Sequence, residues 1–213
     1  MARREKPKNQ TGKETIAGLT WFYNIYEDDG AEIFITKASQ SDVIDIVKIP
    51  AKIAGHKVTR LGQDAFYDCD VLTGVVIPES VWKIGEKAFS HCTSLASVEL
   101  PDSVQEMDSM VFDDCSSLVS AKFGNGMLST GKHTFQHCSK LERVQFPNGI
   151  VKIGTGSFNG CNLARVSIPE TVTEIGSGAF QNCDRLMSIV IPDSVQIIGG
   201  VRLSLVKTLS GYI

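Results

Sequence analysis

No apolar run in this 213-residue sequence approaches the roughly 18 residues that a helix needs to cross a bilayer, so no membrane span is expected. A surplus of positive charge is also missing, since 21 Lys and Arg stand against 24 Asp and Glu for a formal net charge of -3. Neutralising a phosphate backbone needs such a surplus, and nucleic acid is therefore excluded as an expected partner. The opening stretch MARREKPKNQTGKETIAG carries Arg3, Arg4, Lys6, Lys8 and Lys13 but no apolar segment, so it does not read as a signal peptide. Residues 1–19 are expected to be a mobile, disordered tail that is solvated or brushes an acidic surface. Also lacking is any set of nucleophile, base and oxyanion donor at workable spacing, so no enzyme is expected and no catalytic residue is assigned.

What the chain does have is 42% hydrophobic residues, enough to bury a core, and a ruler. The cysteines stand at Cys69, Cys92, Cys115, Cys138, Cys161 and Cys183, at intervals of 23 residues and a last interval of 22. A phenylalanine precedes each by three positions, from Phe66 to Phe180, and a leucine follows each, from Leu72 to Leu186. The unit reads LxxVxIPxxVxxIGxxAFxxC, and self-similarity at such a period signals a solenoid or an array.

Each part of the unit has a physical task. In SVELP, Val98 and Leu100 alternate with polar residues, the period-two pattern of a short half-buried strand. The following LPDS, IPES and FPNG place proline at the second position of a turn that takes the chain off the sheet. A glycine row, Gly62, Gly85, Gly131, Gly154, Gly176 and Gly199, is broken by Asp108, and a left-handed backbone is expected along it. The Phe-to-Cys spacing of AFxxC puts both side chains on one inward face of a short helical turn.

The ends depart from the unit as array ends must, because an open end exposes the core. WFYNIYEDDGAEIFIT alternates around Asp-Asp-Gly and is expected to be a β-hairpin cap over residues 20–43. The solenoid follows over residues 44–213, with an insertion near KIAGH before Val58. Its last turn is degenerate: Leu203 stands in the Phe slot, Val206 in the Cys slot, Leu209 in the Leu slot and Tyr212 in the Val slot. Valine in place of cysteine implies a slot that asks for a small apolar group rather than a thiol. Residues 118 to 138 lose Pro to Gly124 and Ile to Thr130, and that turn is expected to be the weakest.

IPAKIAGHKVTRLGQDAFYDC followed by VVIPESVWKIGEKAFSHCTSL closely resembles the BspA-like, or Treponema-type, 23-residue leucine-rich repeat family over about residues 20 to 213. The resemblance implies an α/β repeat solenoid, a right-handed leucine-rich-repeat superhelix. A parallel β-sheet lies on one face and short helical or irregular segments lie opposite. It also implies cell-surface or secreted proteins that bind other proteins in adhesion, with no shared catalytic residue and no cofactor.

Two His-Cys pairs, His91-Cys92 and His137-Cys138, invite a chemical reading. If cysteine faces inward the residue before it faces outward, giving a row Asp68, His91, Asp114, His137 that reads as a partly solvated charge ladder. A zinc site needs three or four convergent ligands, which a flat ladder does not supply, and a catalytic thiol would need exposure. Stacked cysteines point the same way, which suits a disulfide torsion of about 90° poorly, so reduced core thiols are expected. A second row, Glu79, Asp102, Asn125, Asn148, Glu170 and Asp193, reads as turn residues; its two neutral middle rungs weaken a calcium ladder.

The expected contact surface is the solvent face of the parallel sheet, where Lys122, Arg143 and Arg165 fall on three consecutive turns with Gln145 among them. The chain is thus expected to be a monomeric binding module for a protein or glycan. The alternatives are an assembly element that stacks through the Tyr212 and Ile213 edge, and, last, a metal-dependent enzyme at the His-Asp row.

Overall fold

The computed structural model describes residues 7–28, 30–34, 45–187, 189–199 and 201–202. The 23-residue unit makes one turn of a β-solenoid, about seven turns among the described residues. Alternation does the first half of the work: in strand Ser97–Glu99 only Val98 is buried. A turn at Pro101, closed by the Val104 N–H on the Pro101 carbonyl at 3.1 Å, redirects the chain into a second strand, Glu106–Met107. Successive units then pair in parallel, one repeat out of step, so that Arg143 lies beside Ser120 and Ser120 beside Ser97, while Glu106 lies beside Lys83.

The expected helical segments, and with them the α/β class, are corrected: no helix occurs among the described residues. The AFxxC stretch uses its backbone differently. The N–H groups of Ala65, Tyr67 and Cys69 bond carbonyls three residues back, those of Gly62, Asp64 and Phe66. Between them, the N–H groups of Asp64, Phe66 and Asp68 bond Glu86, Ala88 and Ser90 of the next turn, at 2.9, 2.6 and 2.9 Å. A helix would consume every N–H locally; exporting alternate ones stitches the turns together on the side away from the sheet.

That alternation needs reversals of the backbone, and they fall two residues before and two after each phenylalanine. The pairs are Asp64 and Asp68, Lys87 and His91, Met110 and Asp114, His133 and His137, Gly156 and Gly160, and Gly178 and Asn182, all at positive φ. The glycine row behaves otherwise than expected. Only Gly131 and Gly199 are left-handed, at φ 80 and 57. Three of the others permit close approach of backbones: a Cβ on Gly85 would sit 2.7 Å from the Gln63 nitrogen, and one on Gly154 or Gly176 would strike the turn before it.

The core is a column. Phe66, Phe89, Phe112, Phe135, Phe158 and Phe180 stack with centroids 5.1, 5.2, 5.3, 5.6 and 5.5 Å apart, in nearly parallel planes. Trp21 closes its first end, edge-on to Phe66 at 5.8 Å. Trp21 belongs to strand Leu19–Tyr26, which pairs antiparallel with Gly30–Phe34; Gly30–Phe34 in turn runs parallel to His56–Leu61 and so joins the cap to the solenoid.

The tail expected over residues 1–19 is also corrected from residue 7 onward. Pro7–Ile16 is a strand, paired antiparallel with Leu19–Tyr26 through an Ala17-Gly18 turn at φ 52 and 83. A two-residue turn with both φ values positive matches the twist of the flanking strands, which is why so polar a stretch is ordered. The KIAGH insertion uses the same device, with Ala54 and Gly55 at φ 48 and 84 joining Lys52–Ile53 to His56–Leu61. At the other end Val201–Arg202 turns back antiparallel on Ile197–Ile198. The expectations for Leu203, Val206, Leu209 and Tyr212 lie outside the described residues.

In residues 118 to 138 the second ladder breaks between Glu106–Met107 and the Ser129 bridge. Thr130 is nonetheless fully buried and satisfied, its hydroxyl 2.8 Å from that of Ser157 and accepting the Gly154 N–H at 2.9 Å.

Candidate functional site

Strands Ser97–Glu99, Ser120–Lys122 and Arg143–Gln145 form one ladder, with Val98, Ala121 and Val144 turned inward and their flanking residues outward. Lys122 and Glu99 therefore project side by side one turn apart, and they form an ion pair. The Glu99 carboxylate holds the Lys122 ammonium above its ordinary pKa. Lys122 is thus a partnered cation rather than a free one.

Arg143 and Gln145 are exposed on the last strand of that ladder. Arg165 is exposed too, but it precedes strand Val166–Ser167, which pairs with Ile189–Val190 and not with Arg143–Gln145. The cause lies in the spacing: two residues separate Cys138 from Leu141 and one separates Cys161 from Leu163, so the chain enters the next strand one residue early. Among the described residues no carboxylate forms an ion pair with either arginine. The three expected cations accordingly divide into a neutralised Lys122 and two open guanidinium groups astride a break in the sheet.

Beyond them Met187 and Val190 are 87% and 79% exposed. Val190 lies in the sheet-face row; Met187 was missed, although it is a large apolar residue at a position filled elsewhere by Thr73, Ala96, Val119, Glu142 and Ala164. Guanidinium groups beside exposed apolar side chains make a surface suited to contact, because arginine can pair with carboxylates while neighbouring apolar area is removed from water.

The opposite side carries the His-Asp row, and its composition is explained by its backbone. Asp68, His91, Asp114, His137, Gly160 and Asn182 all occupy the left-handed region, where Asp, Asn, His and Gly are favoured. His91 Nδ1 lies 3.2 Å from Asp114 Oδ2, and His137 Nδ1 lies 3.6 Å from Asp113 Oδ1. Asp113 was not singled out in the sequence, yet its Oδ1 is buried without a hydrogen-bond partner. Burial raises its pKa, against the opposing pull of His137 and His91. No group of three or more metal-ligating side chains converges among the described residues.

The six cysteines are buried free thiols. Desolvation pushes Cys69 up to about 11 and Cys115 up to about 12. Their slot is more than space: Cys92, Cys115, Cys138, Cys161 and Cys183 each donate to the phenylalanine carbonyl of the preceding turn, at 3.2, 3.1, 3.1, 3.0 and 3.1 Å. The purely apolar slot inferred from Val206 is corrected to that extent.

Sequence reasoning also missed Arg60. It is 3% exposed, bonded to Asp28 at 2.7 Å, and its guanidinium lies 4.4 Å from the Tyr26 ring and 4.8 Å from that of Trp82. A buried cation is held by a carboxylate and two ring faces, which fastens the cap to the first turns.

Parallel one-repeat ladders around a phenylalanine column define a β-solenoid of the leucine-rich-repeat kind. The sequence matches the BspA type leucine rich repeat region in six copies, over residues 59–187 and 131–209, and the chain belongs to that family. A crystal structure of a leucine-rich repeat protein from T. pallidum is similar at 33% identity and a TM-score of 0.78, covering 87% of this chain and 86% of that one. A leucine rich cell surface protein from Faecalibacterium prausnitzii is 26% identical with a TM-score of 0.66; the match covers 85% of this chain but 55% of that one. A leucine-rich repeat protein from Bacteroides ovatus, 23% identical with a TM-score of 0.53, shares the fold over 90% of this chain and 54% of its own. None of the curated proteins matches the sequence.

Proposed function

We propose that this chain is a non-catalytic recognition module that binds a partner protein at the cell surface or outside the cell through the solvent face of its sheet. The observation that carries this reading is the pair of exposed arginines, Arg143 and Arg165, with no carboxylate partner among the described residues. On the strand paired with Val166–Ser167, just after Arg165, Val190 is exposed, and the exposed Met187 stands shortly before it in the chain. Cation and apolar area together are what an interface core and its anchors use. A solenoid whose turns are bonded on both sides loses little conformational freedom on docking, so less of the interaction energy is spent on ordering. The similarity to a Faecalibacterium prausnitzii protein described as a cell surface protein supports the location.

The test is capture from extracellular matrix and from the producer's own surface fraction, with wild type beside the Arg143→Glu, Arg165→Glu double variant and a Lys122→Glu control. A partner retained by wild type and by Lys122→Glu, and lost by the arginine pair, supports recognition at the two open guanidinium groups. Equal capture by all three proteins moves recognition off this face.

A further inference from the structure

The row behind the turn prolines contains two Asn-Gly dipeptides, Asn125-Gly126 and Asn148-Gly149, in equivalent turns of neighbouring repeats. Such a pair can react with itself. The glycine backbone nitrogen, once deprotonated, attacks the asparagine Cγ and forms an N–Cγ bond. The Cγ–Nδ2 bond breaks, the nitrogen takes up a proton and leaves as ammonia, and a succinimide ring remains. Water adds to either ring carbonyl and opens it to aspartate or isoaspartate, with no change of oxidation state. The rate depends on whether the turn can fold onto Cγ and on whether the side-chain amide is held elsewhere. Glycine favours the reaction because it brings no Cβ against the attacking path.

The two turns differ in both respects. Asn125 is clamped: its backbone N–H donates to Asp102 Oδ1 at 2.8 Å, and its Nδ2 donates to both Asp102 oxygens at 3.1 Å. Gly126 beside it is confined, since a Cβ there would strike the Asp102 carbonyl and lie 2.8 Å from that of Val104. Asn148 and Gly149 are both exposed, and no side-chain hydrogen bond holds Asn148 among the described residues. A Cβ on Gly149 would meet nothing within 4 Å. The hydrogen bond closing this turn, Ile150 N–H to the Pro147 carbonyl, is 3.4 Å long, against 3.2 Å for Met127 on Gly124 and 3.0 Å for Val172 on Pro169.

We propose that Asn148 is a spontaneous deamidation site of this protein, with water as co-reactant, and that Asn125, in the same dipeptide, is protected by its clamp to Asp102. The product places a carboxylate next to Glu170 in the row, and its isoaspartate form lengthens the backbone between strands Arg143–Gln145 and Lys152–Ile153.

The whole chain is incubated folded in mildly alkaline buffer, and its peptides are followed by mass spectrometry with electron-transfer fragmentation to separate aspartate from isoaspartate. Asn148 should convert about tenfold faster than Asn125, the ratio given by a barrier difference of about 1.4 kcal/mol. Asp102→Ala should bring Asn125 toward the rate of Asn148. Gly149→Ala, at a position with open space and no left-handed φ, should slow Asn148 while leaving the thermal midpoint in place. Equal rates at the two asparagines, or a faster Asn125, would overturn the assignment, as would a Gly149→Ala rate equal to wild type. An Asn125 rate unmoved by Asp102→Ala would overturn the protective clamp.

Discussion

Cys138 donates its thiol to the backbone carbonyl of Phe112, 26 residues earlier, at 3.1 Å. The same carbonyl accepts the N–H of Cys115 in its own turn at 3.3 Å. One oxygen thus ties a turn to itself and to its neighbour, and the period of the sequence is the period of that tie.

The shared acceptor sets the cost of losing a thiol. In Cys115→Val the Phe89 carbonyl keeps the Cys92 N–H, so no buried acceptor is orphaned. The substitution should cost about 1 kcal/mol, the worth of one weak hydrogen bond, when followed by urea denaturation. A loss of about 3 kcal/mol or more would mean the thiol does more than pack and donate.

Phe112→Ala removes the ring between Phe89 and Phe135, 5.2 and 5.3 Å away. A stacked column cannot collapse into the gap without shifting the turns that its backbone bonds fix. The expected loss is about 3 to 5 kcal/mol by the same urea melts, and a value below about 1 kcal/mol would contradict a rigid column.

His91 tests whether its row is chemistry or backbone. At φ 61 a β-branched residue suffers a clash that Asn tolerates, so His91→Val should lose about 1 to 2 kcal/mol and His91→Asn much less. Equal losses would return the His-Asp row to a role for the imidazole itself.

Asp113 carries a pH dependence whose sign follows from burial. Its folded pKa lies above the ordinary aspartate value of 3.8, so the folded state holds the proton more tightly. The stability contributed by that proton is complete below about 3.8 and is lost as pH rises through the raised folded value. Asp113→Asn should therefore raise the thermal midpoint at neutral pH, with the gain shrinking as pH falls toward 4. A lower midpoint for the variant at neutral pH would show that His91 and His137 more than offset the burial.

The column was legible because its residues recur in fixed chemical kinds: Phe, Cys and Leu at one spacing admit only a stacked core. The left-handed positions two residues before each phenylalanine were not, since Lys87, Met110 and His133 share no chemistry to mark them. Strand Pro7–Ile16 hid for the same reason: it is polar, shows no alternation, and is ordered by its turn and partner strand. At the candidate site the rows were legible and the pairing was not. Glu99 neutralises Lys122 across strands, and one missing residue after Cys161 separates Arg143 from Arg165, effects that appear only once turns are laid side by side.

Recognition through the sheet face is tested most directly by hydrogen–deuterium exchange on the wild-type chain with and without its captured partner. Slowed exchange is expected in strands Arg143–Gln145, Val166–Ser167 and Ile189–Val190, with the turns around His91 and His137 unchanged. Protection confined to those histidine turns would contradict it.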